Sequence, residues 1–203
     1  MSTDTNPKAG AASRAIDVIG LCGSLRSASL NGMALNLAGD SMPPAMTLDV
    51  VDWRDIPPFD ADVLAHAIPA PVEALRDRIR RADAVLIATP EYNFSIPGML
   101  KNMLDWVSRG IDQPLRHKPV AILSAAPGPV GGARVQYELR KVLLFMDAMV
   151  LSKPEVFIAH AASKFAPDGT CTDETTRRFV AEQMAAFEHW IDQVGLMHQQ
   201  QQR

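Results

Sequence analysis

The chain has 203 residues, a length suited to one α/β domain, and 47% of them are hydrophobic, enough for a full core and against wholesale disorder. Twenty basic against 23 acidic side chains leave a net charge of −3, which excludes the basic surface of a nucleic-acid binder. Apolar runs are too short for a membrane span, and the first residues, MSTDTNPKAGAASR, have no apolar core of a secretion signal.

Elements alternate along the chain. The β-branched run Ile16 to Leu21 predicts a first strand. Ser29 to about Asp40 predicts a helix with Leu30, Ala34, Leu37 and Ala38 on one face, and Leu48 to Val51 a second strand. The proline-rich crossing from Trp53 to Pro71 contains IPPFDAD, which is expected to form neither helix nor central strand. Val72 to Arg81 predicts a helix, Ala84 to Ala88 a third strand, and Pro97 to Ser108 a helix with Pro97 in its first turn. Val120 to Leu123 predicts a fourth strand, about Ala133 to Met146 a helix, and a fifth strand is expected near Val150 and again over Val156 to Ile158. The last helix is expected from Thr172, with Asp173 and Glu174 in its first turn and Phe179, Met184, Phe187, Trp190 and Val194 facing the core.

Five strands alternating with helices imply an α/β, doubly wound parallel sheet of order 2-1-3-4-5 with helices on both faces. One domain is expected over 15–196, with a disordered tail at 1–14 and a C-terminal tail at 197–203. Cys22 and Cys171 are far apart, show no metal-ligand spacing, and read as reduced thiols of a cytoplasmic protein, although Cys22 directly precedes the first glycine loop. No metal site is expected.

In such a sheet ligands sit beyond the carboxyl ends of the strands, where the strand order reverses. The loop after the first strand, Gly23-Ser24-Leu25-Arg26-Ser27-Ala28-Ser29-Leu30-Asn31, is neither GxGxxG nor a Walker A sequence. It sets hydroxyls, an arginine and an amide at a helix N-terminus. That suits a phosphate bound by Ser24, Arg26, Ser29 and Asn31, and suits equally a solvated turn with Ser29 as plain helix cap. The loop after the third strand, Thr89-Pro90-Glu91-Tyr92-Asn93-Phe94-Ser95-Ile96-Pro97-Gly98, is stiff and carries two aromatics, as a wall for a planar heterocycle or as packing for the next helix. The loop after the fourth, Ser124 to Arg134, has glycines that let main chain approach a flat ligand or that simply connect.

The motifs GSLRxxSxN, TPEYNxSxPGxLKNxxDW and the later GGAR together resemble the NAD(P)H-dependent FMN reductases, in particular the bacterial chromate and quinone reductase branch, from about Ile16 to Ile191. The resemblance implies a flavodoxin-like fold and bound FMN. It implies the phosphate on Ser24, Arg26, Ser29 and Asn31, with Leu25 and Leu30 beside it. It implies the isoalloxazine ring against Pro90, Glu91, Tyr92 and Asn93, largely through main chain. Ser124, Ala126 and Gly128 are expected to border the pyrimidine side, Ala126 standing where relatives often carry serine. The implied activity is ping-pong hydride transfer from NADPH or NADH through the flavin to small acceptors: quinones, chromate, azo compounds or free flavin. No protein side chain is required as a catalytic acid or base. Lys101 and Asp105 of LKNxxDW read as a surface pair and Trp106 as packing. Arg109 and Arg116 are candidates to stand near a donor's 2′-phosphate. A flavodoxin-type electron carrier and a non-enzymatic redox sensor are the other classes this fold allows; carriers of that kind are usually far more acidic. The resemblance further implies a homodimer or homotetramer, and Arg134, Tyr137 and Glu155 are candidates for a polar network between copies.

Overall fold

The computed structural model describes residues 14–201. The tail expected over 1–14 therefore falls, but for Arg14, outside the described residues, as do residues 202–203. The strands are β1 (Ile16–Cys22), β2 (Met46–Val50), β3 (Ala84–Ala88), β4 (Pro119–Ala125), β5 (Met149–Val150) and β6 (Val156–Ile158). The helices are α1 (Leu30–Asp40), α2 (Ala61–His66), α3 (Ala70–Arg81), α4 (Gly98–Val107), α5 (Ala133–Phe145) and α6 (Glu174–Gln201). Every strand pairing is parallel, in the order β2-β1-β3-β4-β5, with β6 pairing the later part of β4. The fifth position in the sheet is thus shared by two short pieces, as the two apolar runs near Val150 and Val156 foretell.

Two cores follow from the alternation of side chains along the strands. Ile16, Val18, Leu86 and Leu123 face α1 and α6, while Ile19, Leu21, Ile87 and Ile122 face α3, α4 and α5. Strands β3 and β4 are buried on both faces, which is why they are continuously apolar.

Between β5 and β6 the backbone polar groups are met by side chains. Arg140 donates to Leu151 O at 3.0 Å, Gln183 of α6 to Pro154 O at 3.0 Å, and Gln136 of α5 to Val156 O at 2.8 Å. Gln183 also donates to Ile122 O on β4 at 3.0 Å, so both donors of this buried amide serve carbonyls inside the core.

The structure departs from the sequence reading in four places. The proline-rich crossing does hold a helix, α2, because Asp60 accepts from Asp62 N–H at 2.8 Å and starts a turn beyond the prolines. Asp173 stands before α6 and caps it, accepting from Thr176 N–H at 2.8 Å. Phe179 is 47% exposed, whereas Met184, Phe187 and Val194 are buried and Trp190 is half-buried; Val180 takes the inward position that the aromatic spacing assigned to Phe179. Helix α6 also runs on to Gln201, through most of the segment expected as a tail. Among the described residues, no helix is long and apolar enough to cross a membrane.

Candidate functional site

Because the strands are parallel, the loops after β1, β3 and β4 leave the same edge of the sheet. Cys22 lies opposite Ala88, and Ala88 opposite Leu123, so the three loops start level with one another. Gly23 N–H then bonds Ala88 O at 2.7 Å and Thr89 N–H bonds Leu123 O at 3.1 Å, carrying the ladder one step into the loops. Gly23 is needed for this approach: a Cβ there would lie 2.8 Å from Thr89 Oγ1 and 3.0 Å from Leu100 Cδ2.

The first loop enters α1 at Ser29, whose hydroxyl oxygen accepts from Gly32 N–H at 3.2 Å. The cap uses an acceptor lone pair, and the hydroxyl proton has only the weak acceptor Cys22 Sγ at 3.7 Å, so the cap and phosphate readings are compatible. Ser24 is half-buried, Leu25 and Arg26 are exposed, and Leu30 packs its side chain against the α1–α6 core rather than a ligand. Arg26 folds back to donate to Ala28 O at 2.7 Å. Asn31 turns toward the end of β4. It is buried, its Nδ2 donates to Ala125 O and its Oδ1 accepts from Ala125 N–H, both at 2.9 Å. An amide side chain can present a donor and an acceptor at the spacing of a peptide group, so Asn31 acts as a strand-like partner to the end of β4, with the second proton of its Nδ2 as the donor left over.

In the second loop Tyr92 and Ser95 exchange backbone hydrogen bonds at 3.1 and 2.9 Å around Asn93 and Phe94. Both central residues have positive φ, 51° and 64°, the pattern of a type I′ turn. Such a conformation is ordinary for Asn and an outlier for Phe, at a cost of about 1–3 kcal/mol. Tyr92 and Phe94 are 50% and 68% exposed and do not pack under the following helix. The Glu91 side chain is only 8% exposed; it pairs with Arg134 and accepts from Val135 N–H at 3.3 Å in the first turn of α5. Helix α5 begins at Gly132, which has no capping side chain, so Glu91 supplies the missing cap from another loop. Pro90 is half-buried at the start of the loop and Asn93 exposed at its tip.

The third loop is held by its own side chains. Ser124 is fully buried; its hydroxyl donates to Gly131 O at 2.7 Å and accepts from Gln136 Nε2 at 2.9 Å, so it does not reach the loop surface as expected. Ala126 N–H bonds Ile158 O at 3.0 Å and is therefore not free for a ligand. Gly131 and Gly132 answer to internal packing: a Cβ would meet Ala159 N and Ser124 Cβ, respectively, at 2.8 Å, and both have positive φ. Gly128 is different. Nothing lies within 4 Å of its would-be Cβ and no positive φ demands glycine, so internal packing does not account for glycine there.

Two other expectations are corrected. Arg116 precedes β4 and lies 3.6 Å from Asp147, at the opposite edge of the sheet. Arg109 follows α4 and donates to Asp105 O and Ser108 Oγ, both at 2.8 Å, likewise away from the three loops. The LKNxxDW run has a purpose that the sequence reading missed in part. Lys101 and Asp105 do form a surface pair at 2.7 Å. Asn102 bonds the proline-rich crossing twice, to Phe59 N–H at 2.7 Å and Pro57 O at 2.9 Å, and Trp106 Nε1 donates to Pro57 O at 2.9 Å. The motif pins the crossing against α4. Cys22 is half-buried at the base of the first loop, its thiol 3.3 Å from Ser24 O.

The arrangement offers a helix N-terminus with free hydroxyls at one end and a stiff aromatic loop at the other, a cradle for a flat molecule with an anionic tail. Comparison with known proteins agrees with this geometry. The family model of the NADPH-dependent FMN reductases matches residues 16–163. An NAD(P)H-dependent FMN reductase of Pseudomonas aeruginosa is 46% identical over 87% of this chain and 95% of its own length. A quinone reductase of Escherichia coli is 45% identical over 91% of this chain and 100% of its own. Among solved structures, the flavoenzyme NAD(P)H:(acceptor) oxidoreductase FerB of Paracoccus denitrificans superposes with a TM-score of 0.80 at 37% identity, over 88% of this chain and 98% of that one.

Proposed function

The chain belongs to the NADPH-dependent FMN reductase family and is an FMN-dependent NAD(P)H oxidoreductase, and from that premise we propose that its three carboxyl-edge loops hold the flavin in an open site that reduces small acceptors in ping-pong order. The observation that carries the site assignment is the start of α1, where Ser29 caps the helix with its hydroxyl oxygen, its proton held by no acceptor stronger than Cys22 Sγ, and Ser24 and Arg26 flank the helix end. FMN, when bound there, would supply the two-electron redox chemistry that links NAD(P)H to the acceptor.

The chain's own residues orient and expose that centre. Ser24, Ser29 and Arg26 anchor the phosphate. Pro90, Glu91, Tyr92 and Asn93 offer main chain and an aromatic wall, and Gly128 leaves room for the far side of the ring. Asn31, Ser124 and Ala126 act behind this surface, fixing the loops to one another. One open mouth beside Tyr92 and Phe94 serves donor and acceptor in turn, which supports the ping-pong order and a broad set of acceptors: quinones first, then chromate, azo compounds and free flavin.

Assembly into a homodimer or homotetramer is part of the proposal. Tyr137, Leu144 and Phe145 of α5 are 52%, 78% and 80% exposed and recur at helical spacing on one face. Tyr137 and Glu155 remain interface candidates, while Arg134 is drawn back to Glu91 of its own chain. Two free cysteines suit the reducing cytoplasm, the proposed location.

The experiment is an anaerobic titration of the FMN-loaded protein with NADPH and, separately, NADH, followed by a quinone. Bleaching of the flavin band and its return on adding the quinone support the reading. FMN binding without bleaching by either nucleotide defeats the activity, and failure to bind FMN defeats the site.

A further inference from the structure

We propose, building on the reductase reading above, that Asp52 and Arg54 form the subsite that reads the adenosine ribose of the nicotinamide donor, with Arg54 the residue that favours a 2′-phosphate there. The observations lie on the β2 side of the loop after β1, away from the loops after β3 and β4.

Strand β2 ends at Val50, but its pairing with β1 runs one residue further, as Val51 N–H bonds Gly20 O at 3.0 Å. Val51 and Trp53 are buried and alternate with Asp52 and Arg54, which therefore face outward from a backbone fixed by the sheet. Asp52 Oδ1 accepts from Arg54 N–H at 3.2 Å and from Arg54 Nε at 2.9 Å, a local turn that orients the guanidinium. Nη1 and Nη2 have no acceptor among the described residues, and the side chain is 61% exposed. A fork fixed at Nε with its outer nitrogens open is already ordered to donate to a phosphate.

The pair lies across a cleft of about 200 Å³ from the proposed flavin-phosphate loop. Ser24, Leu25 and Arg26 line one side of it, and Val50, Asp52 and Arg54 the other. That volume suits a sugar phosphate rather than a whole dinucleotide. Leu25 and Val50 are both exposed and give the cleft an apolar rim. Arg26 is assigned to the FMN phosphate, which leaves Arg54 as the cation for a second one. FMN ends at this loop, whereas the donor carries a further nucleotide half beyond the part that meets the ring. In dinucleotide-binding sheets the adenosine ribose is read by an acidic residue that accepts from its 2′-hydroxyl, or by an arginine that takes its 2′-phosphate. Here both residue types stand two positions apart at the end of the strand beside β1. Asp52 has carboxylate lone pairs for the hydroxyl of NADH, and the Arg54 fork serves the 2′-phosphate of NADPH.

The test measures kcat/KM of the FMN-loaded enzyme for NADPH and for NADH with 1,4-benzoquinone as acceptor, and the binding of adenosine 2′,5′-diphosphate and of adenosine 5′-monophosphate by calorimetry. For Arg54→Gln, the NADPH-to-NADH ratio of kcat/KM is expected to fall about tenfold, and adenosine 2′,5′-diphosphate to bind about tenfold more weakly while the monophosphate changes less. Arg54→Lys, which keeps the charge and loses the fork, is expected to fall between. Arg116→Gln removes an equally exposed arginine before β4 and is expected to leave the ratio as in wild type. An unchanged ratio and unchanged calorimetric affinities in Arg54→Gln overturn the subsite, as does an equal fall in Arg116→Gln, which would make the effect one of overall charge. If neither nucleotide reduces the flavin of the wild-type protein, the reductase reading fails, and the calorimetric comparison alone then decides for or against the subsite.

Discussion

Asn31 and Ala125, 94 residues apart in sequence, are joined by two hydrogen bonds of 2.9 Å that make the start of α1 and the end of β4 one rigid piece. The proposed phosphate loop and the loop after β4 are thereby held at a fixed distance by one side chain. Asn31→Ala is expected to leave the N–H and C=O of Ala125 unpaired in the core and to lower stability by about 2–3 kcal/mol. The midpoint of urea unfolding should fall with its slope unchanged. Asn31→Asp turns a second acceptor toward Ala125 O and should be no better than alanine.

Ser29 separates capping from ligand binding. Asp is as good a cap as Ser, so Ser29→Asp should keep stability within about 0.5 kcal/mol of wild type. It also places a carboxylate where the phosphate is proposed to lie. FMN affinity, followed by quenching of flavin fluorescence, should drop by about tenfold or more. Wild-type affinity in Ser29→Asp would remove the phosphate from this helix end.

The glycines make a second contrast. Gly23→Ala forces a Cβ against Thr89 and Leu100 and should cost about 1–3 kcal/mol of stability. Gly128→Ala meets no protein atom within 4 Å and should unfold like wild type, within about 0.5 kcal/mol, yet bind FMN more weakly. The two variants read internal packing and ligand space separately, by thermal melt and by flavin titration.

The cap of α6 predicts an acid limb in stability. The side-chain hydroxyl and then the backbone N–H of Thr176 hold the Asp173 carboxyl below the ordinary aspartate value of 3.8. A depressed carboxyl stabilises the fold above that ordinary value and loses its contribution as pH falls through the lower, folded value. Unfolding midpoints compared at about pH 5 and about pH 3 should therefore drop for wild type, and drop less for Asp173→Asn, which keeps the oxygen acceptor but has no charge to lose.

Much of this was legible in the residues. The buried strands β3 and β4 announce themselves as unbroken apolar runs, and the parallel order follows from alternation, so the three loops that gather at one edge could be named beforehand. What could not be read was direction. Asn31 and Ser124 sit at motif positions that suggest ligand contact, but each turns toward a backbone group far along the chain or across a loop, and no local pattern marks that choice. The cap that α5 lacks comes from Glu91, 41 residues before Gly132 reckoned by their numbers. The prolines mask the helix that follows them, although Asp60 is an ordinary start signal. Phe179 and Val180 satisfy the same apolar spacing, and the spacing alone does not tell which of the two turns inward.

The break between β5 and β6 bears on how copies of the chain can meet. A continuous outer strand would offer a row of free amides and carbonyls, an invitation to extend the sheet from one molecule into the next. Here the outer position holds pieces of two and three residues, and the carbonyls between and beside them are already occupied by Arg140, Gln183 and Gln136. On this side a second copy finds no continuous ladder to extend, so a contact made here has to rest on side chains, and the same side chains that complete the core blunt this edge against aggregation.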